Sequence, residues 1–258
     1  MAKQASNLAS KPNVFDLVKD KAKPSAPLTD TGLALSPYVQ FAHPMSKNYV
    51  NMVAALKSVP TGSPVLVSPD GSYTKLDPFQ FLATPAFYQY FGEYDDQGEL
   101  IIAIEAIGRC PKGMSESVIA VMVVLIGNDL QPVRCRFKGA KCPVIKTAIN
   151  AVMDTEAEDF AGRGKDHAKL VKSGSPAWSW LLHTGTMTEV KSKPGIGKDG
   201  KQHSGYTYHT CESTSVLTPA SVVGTLLKLN SDESFSNTMT QCLEDFNTEV
   251  EKTQALIG

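Results

Sequence analysis

Apolar positions recur in short runs through the middle of the chain. Leu100 to Ile107, Ser117 to Ile126 and Val133 to Phe137 are rich in β-branched residues and are parted by Gly, Pro and Asn-Asp turns, which predicts three strands. Val65-Leu66-Val67, the turn Pro69-Asp70-Gly71 and Tyr73-Thr74-Lys75-Leu76 predict a hairpin, because Pro presets φ and Gly accepts φ > 0. A longer hairpin is predicted from Trp178 to Lys191 and Tyr206 to Val216, joined by a loop from Lys193 to Ser204. A loop of that length in a compact domain is usually functional or disordered.

Helical spacing appears on both sides of these runs. Val50, Val53 and Ala54, capped by Ser46, predict a helix to about Lys57. Asp77-Pro78 and Thr84-Pro85 each pair a capping residue with a proline suited to a first turn, so two short helices are expected over 78–83 and 85–92. Pro143 opens a helix to Met153 with a broad apolar face, and Thr218-Pro219 opens another carrying Val222, Val223, Leu226 and Leu227. After a cap at Ser231, residues Phe235, Met239, Cys242, Phe246, Val250 and Ile257 form one apolar stripe, with Thr253 filling its break.

The pattern predicts an α+β fold: a central antiparallel β-sheet, or a partly open β-barrel of OB-like kind, with flanking helices and a C-terminal amphipathic helix. Three segments are expected. A basic, flexible arm covers 1–36, an α+β core domain 37–230 with the hairpin 177–216, and an acidic amphipathic helix 231–258. The arm holds five lysines against Asp16, Asp20 and Asp30.

Composition adds limits to this picture. With 42% hydrophobic and 20% charged residues, the 258-residue chain excludes collagen-like and wholly disordered classes. A formal charge of −1 removes whole-molecule attraction to polyanions and leaves only local patches. The longest apolar run, Val118 to Ile126, has the length of a strand and not of a membrane span. Residues 1–13 lack the apolar core of a signal peptide, and five irregularly spaced cysteines suit reduced thiols. The expectation is a cytoplasmic protein of cellular, viral or plasmid origin that makes no use of a membrane.

Catalytic and metal motifs fail on chemistry. Gly195-Ile-Gly197-Lys198 resembles the end of a phosphate loop, but Asp199 stands where a hydroxyl must meet Mg²⁺. Asp95 to Glu99 lacks the alternating spacing of a calcium loop. Cys135 and Cys142, with Cys110, Cys211 or His209, could in principle supply zinc ligands, but their six-residue gap exceeds the usual two to four. His183 and His209 would be neighbours only in one register of the long hairpin. No cofactor, no metal and no enzymatic activity is expected, although an enzyme whose site is assembled from dispersed residues stays open.

Charge pattern carries the positive signal. From Gln131 to Asn150 there are five cations, Arg134, Arg136, Lys138, Lys141 and Lys146, and no acid. In a strand Arg134 and Arg136 share one face, and Val133, Cys135 and Phe137 the other. The hairpin adds Lys191, Lys193, Lys198 and Lys201, flanked by Trp178, Trp180, Tyr206 and Tyr208 at period two. Aromatic faces stack on bases of any sequence while basic groups follow the phosphates. The expectation is a non-enzymatic protein that binds single-stranded nucleic acid, DNA in preference to RNA. Trp178, Trp180, Tyr206 and Tyr208 would stack, and Arg134, Arg136, Lys138, Lys141, Lys191, Lys193, Lys198 and Lys201 would hold phosphate. The opposing reading makes Trp178, Trp180 and Leu182 core residues.

Residues 231–258 carry six acids against Lys252 alone. Such a helix suits a basic groove of its own chain or of a neighbour, or else it closes the core. Association through this helix and the arm would make the protein a homo-oligomer, and the alternative function is a structural or assembly protein of a virus or large complex. In layout, a β-barrel with a basic hairpin and an acidic C-terminal segment resembles small phage and plasmid single-strand-binding proteins. The ending Gln254-Ala-Leu-Ile-Gly258 departs from the acidic-Phe tip usual in bacterial members.

Overall fold

The computed structural model describes residues 36–44, 48–95, 99–196, 202–203, 207–229 and 231–257. Residues 1–35 of the expected arm and the Ser46 cap lie outside the described residues. In chain order the strands are β1 (Tyr38–Phe41), β2 (Pro64–Val67), β3 (Tyr73–Lys75), β4 (Phe79–Tyr94), β5 (Leu100–Glu105), β6 (Ser115–Ile126), β7 (Asp129–Lys138), β8 (Leu181–Lys191), β9 (Gly195–Ile196), β10 (Gln202–His203) and β11 (Thr207–Leu217). The helices are α1 (Tyr49–Leu56), α2 (Cys142–Met153), α3 (Ala157–Ala161), α4 (Lys165–Lys172), α5 (Ala220–Leu229) and α6 (Glu233–Gln254).

The main sheet runs β11-β8-β4-β6-β7-β1-β2-β3, with β5 added beside the second half of β4. It is a mixed α+β fold whose sheet curls into an open half-barrel, as the strand and helix patterns predict. All of its pairings are antiparallel except β1 with β7.

Strand β6 explains the two layers. Its eight residues Ser117 to Val124 are buried without a break, as expected of a strand covered on both faces. Alternation then divides them. Val118, Ala120, Met122 and Val124 face a cluster built around α2, while Ile119, Val121 and Val123 face a second cluster with Phe160, Leu170, Val223, Met239 and Phe246 of α3–α6. Helix α2 therefore fills the hollow of the half-barrel, α3–α6 cover the other face, and α1 packs with β2 in a third, smaller cluster.

The two helices expected over 78–92 are instead the single strand β4. Phe79, Phe81 and Ala83 point to the α2 side and Leu82 to the outer helices, a period-two split that tertiary pairing with β6 and β8 enforces over local cap signals. The Thr84-Pro85 pair sits where the β4–β6 register shifts, a place that tolerates a proline without an N–H. There Thr84 Oγ1 donates to the Val121 carbonyl at 2.6 Å. Gly185 is needed for the next pairing, because a Cβ on it would lie 2.5 Å from the Phe79 ring.

The acidic helix α6 is capped by Asp232, whose carboxylate accepts from the Ser234 and Phe235 N–H groups, and not by Ser231. Its stripe of Phe235, Met239, Cys242 and Phe246 is buried in the outer cluster, so it closes that core. Among the described residues no helix is long and apolar enough to cross a membrane.

Candidate nucleic-acid interface

A groove arises where the sheet splits. The parallel pairing of β1 with β7 covers Tyr38↔Arg134 and Val39↔Cys135 only. Beyond it β1 runs on to Phe41 and β7 to Lys138, and a cleft of about 510 Å³ opens between Gln40 and Phe41 on one wall and Arg136, Lys138 and Lys141 on the other. Phe41, Lys138 and Lys141 also line a second hollow of about 230 Å³, so the two are neighbours. On β11, Thr207, Tyr208 and His209 line this second hollow. Gly62 has φ +88°, and a Cβ there would lie 2.6 Å from the His209 ring, so bare backbone lets that ring pack close.

The five cations of the acid-free stretch differ sharply in their surroundings. Arg134 meets Glu249 Oε2 at 3.1 Å and Asp245 Oδ2 at 3.5 Å, and its Nε donates to Ser36 Oγ at 2.8 Å. Arg136 Nε donates to Glu249 Oε1 at 2.9 Å, and Lys146 to Glu116 Oε1 at 2.8 Å. Burial pushes the Asp245 carboxyl up. Hydrogen bonds from Ser36 and the charge of Arg134 outweigh that and hold it below the usual carboxylate range. The acidic helix α6 thus lies on the basic strand of its own chain as well as in the core.

Lys138 and Lys141 have no carboxylate within ion-pair distance among the described residues. Their ammonium groups lie over aromatic rings, Lys138 3.2 Å from the centre of Tyr94 and Lys141 5.4 Å from that of Phe41. Desolvation draws both below the ordinary lysine pKa, helped at Lys138 by Arg136. A cation in such a place is stabilised by an anion entering the groove.

The expected stacking row does not form. Trp178 lies in a single tight turn at 177–179 ahead of β8 and is 2% exposed. Trp180 is 9% exposed, stacks on Phe160 at 5.8 Å and donates its indole N–H to Ser175 Oγ at 3.0 Å. Both are core residues with no face for a base, which corrects their assignment as stacking residues. Tyr208 is half-buried and lines the second hollow. Lys191 and Lys193 are exposed on the hairpin, Lys191 being 3.9 Å from Glu189. Lys198, Lys201 and Tyr206 lie outside the described residues.

The register sets His183 opposite Ser215 and His209 opposite Glu189, so the two histidines are not neighbours. Among the described residues no group of three or more His, Cys, Asp or Glu is arranged to hold a metal ion. Cys135, Cys142 and Cys211 are buried, and burial pushes the last two thiols up to about 12. Tyr38 and Phe41, absent from the sequence-derived set, supply the aromatic wall; nothing local marks them, since Tyr38 meets β7 through the parallel pairing and Phe41 through its ring contact with Phe137 at 5.7 Å. No protein-family model, curated protein or solved structure matches the chain.

Proposed function

We propose that this protein binds single-stranded nucleic acid in the groove between β1 and β7, without catalysing a reaction on it. The observation that carries the reading is the pair Lys138 and Lys141, partly desolvated, resting on aromatic rings and without an acid partner among the described residues. Phosphates supply the missing counter-charge, and Tyr38, Phe41 and Tyr208 offer ring edges and faces to bases that a duplex keeps stacked. Lys191 and Lys193 extend the positive track along the hairpin. Arg134 and Arg136 are largely spent on α6, and Glu249 stands in the groove as an intramolecular competitor of phosphate.

Charge variants test this with opposite signs. In an anisotropy titration with a short oligothymidylate, the double variant Lys138→Met/Lys141→Met is expected to lose two phosphate contacts and to flatten the log–log salt slope by about 1.4. Glu249→Gln is expected to strengthen binding several-fold, because it removes the acid that holds Arg136 and leaves Arg134 paired with Asp245 alone. Equal affinity in all three proteins, each checked for a native melting transition, would refute the groove as the site.

A further inference from the structure

The 230 Å³ hollow beside the groove differs from it in what lines it. Lys138 and Lys141 line it together with Thr207 and His209 of β11 and Thr61 of the loop before β2, with no carboxylate among its described lining residues. Glu249, which intrudes on the larger cleft, does not reach it. Glu189 is opposite His209 on β8, but it is exposed and lies near Lys191. The hollow is smaller than the pockets that hold drug-sized ligands, and the His209 ring packs against Gly62 in its wall. Its small volume and its lysine, threonine and histidine lining suit a single phosphate group.

We infer that this hollow is a subsite for the terminal phosphate of a strand lying in the groove. An internal phosphodiester carries one negative charge, whereas a terminal monoester carries nearly two at neutral pH, matching the two lysines. Thr61, Thr207 and His209 are placed as hydrogen-bonding groups for its oxygens, and the Phe41 ring lies beside the nucleoside that follows. The inference rests on the proposed reading of the groove and adds to it a preference for phosphorylated ends.

The test is competition against a bound, labelled oligothymidylate by three unlabelled strands of equal length: one 5′-phosphorylated, one 3′-phosphorylated and one with hydroxyls at both ends. One phosphorylated strand is expected to compete roughly tenfold better than the hydroxyl strand, the worth of one charge-assisted hydrogen bond. Which end gains identifies the polarity of the bound strand. His209→Ala, and separately Thr207→Val, are expected to erase that gain while leaving the affinity for the hydroxyl strand within about twofold, since neither residue lines the main cleft. Equal competition by all three strands would overturn the end subsite and leave the groove intact. A gain that survives both substitutions would overturn its placement in this hollow. If none of the strands binds, the groove reading itself is wrong.

Discussion

Trp180→Ala is expected to lower the stability of the folded protein by about 3–5 kcal/mol, and to do so with or without nucleic acid present. The indole is 9% exposed, is stacked against Phe160 and gives its N–H to Ser175 Oγ. Truncation leaves a cavity in the outer cluster and an unpaired Ser175 hydroxyl together. Urea unfolding followed by circular dichroism measures the loss, and a binding titration scaled to the folded fraction should match wild type. A Trp180→Ala protein that is fully stable yet no longer binds would return the indole to the ligand site and contradict its core role.

Acid is expected to remove about 3 kcal/mol of stability through one residue, His183. Its ring is fully buried beside Phe81, with Nδ1 2.8 Å from Ser215 Oγ and Nε2 without a hydrogen-bond partner. Desolvation lowers its pKa from 6.5 to about 4, because the charged ring must donate from both nitrogens and Nε2 meets no acceptor. Between those two values the unfolded chain holds the proton and the folded chain does not. Stability is therefore complete above pH 6.5, falls as the pH drops through this window, and levels off below about 4. His183→Phe keeps an aromatic ring and removes the titration. Urea unfolding at both ends of the window should show a wild-type loss that exceeds the variant's by about 3 kcal/mol. Parallel profiles would show that His183 is not held neutral by burial.

Much of the fold is legible in local pattern. The strands β5, β6 and β7, the hairpins β2–β3 and β8–β11, and the helices α2, α5 and α6 follow from runs of apolar residues and their turns. β4 misleads because Asp77-Pro78 and Thr84-Pro85 carry helix-start chemistry, while its aromatic residues are held by three neighbouring strands. Trp178 and Trp180 mislead in another way. Their period-two spacing belongs to a tight turn that drops both indoles into the core, one element before the strand begins.

The candidate site is legible in only half its logic. Alternation correctly places Arg134 and Arg136 on one face of β7, and the basic stretch does border a groove. A stretch free of acids in sequence is not free of them in space. Glu249 reaches Arg136 from 113 positions away and Glu116 reaches Lys146 from 30. Lys138 and Lys141 are the two without a carboxylate partner among the described residues, and nothing in the local sequence distinguishes them from the other three. The aromatic wall of Tyr38 and Phe41 depends on a parallel contact that no short-range pattern encodes.

In the proposed mode of binding, the groove holds a single strand by its phosphates and bases together. Titration of the wild-type protein with a labelled oligothymidylate across a range of salt, set against a duplex of equal length, tests it most directly. Four cations on the track, Lys138, Lys141, Lys191 and Lys193, set the expected log–log slope near −3 for the single strand, with weaker binding of the duplex. Binding that ignores salt, or that favours the duplex, would contradict the account.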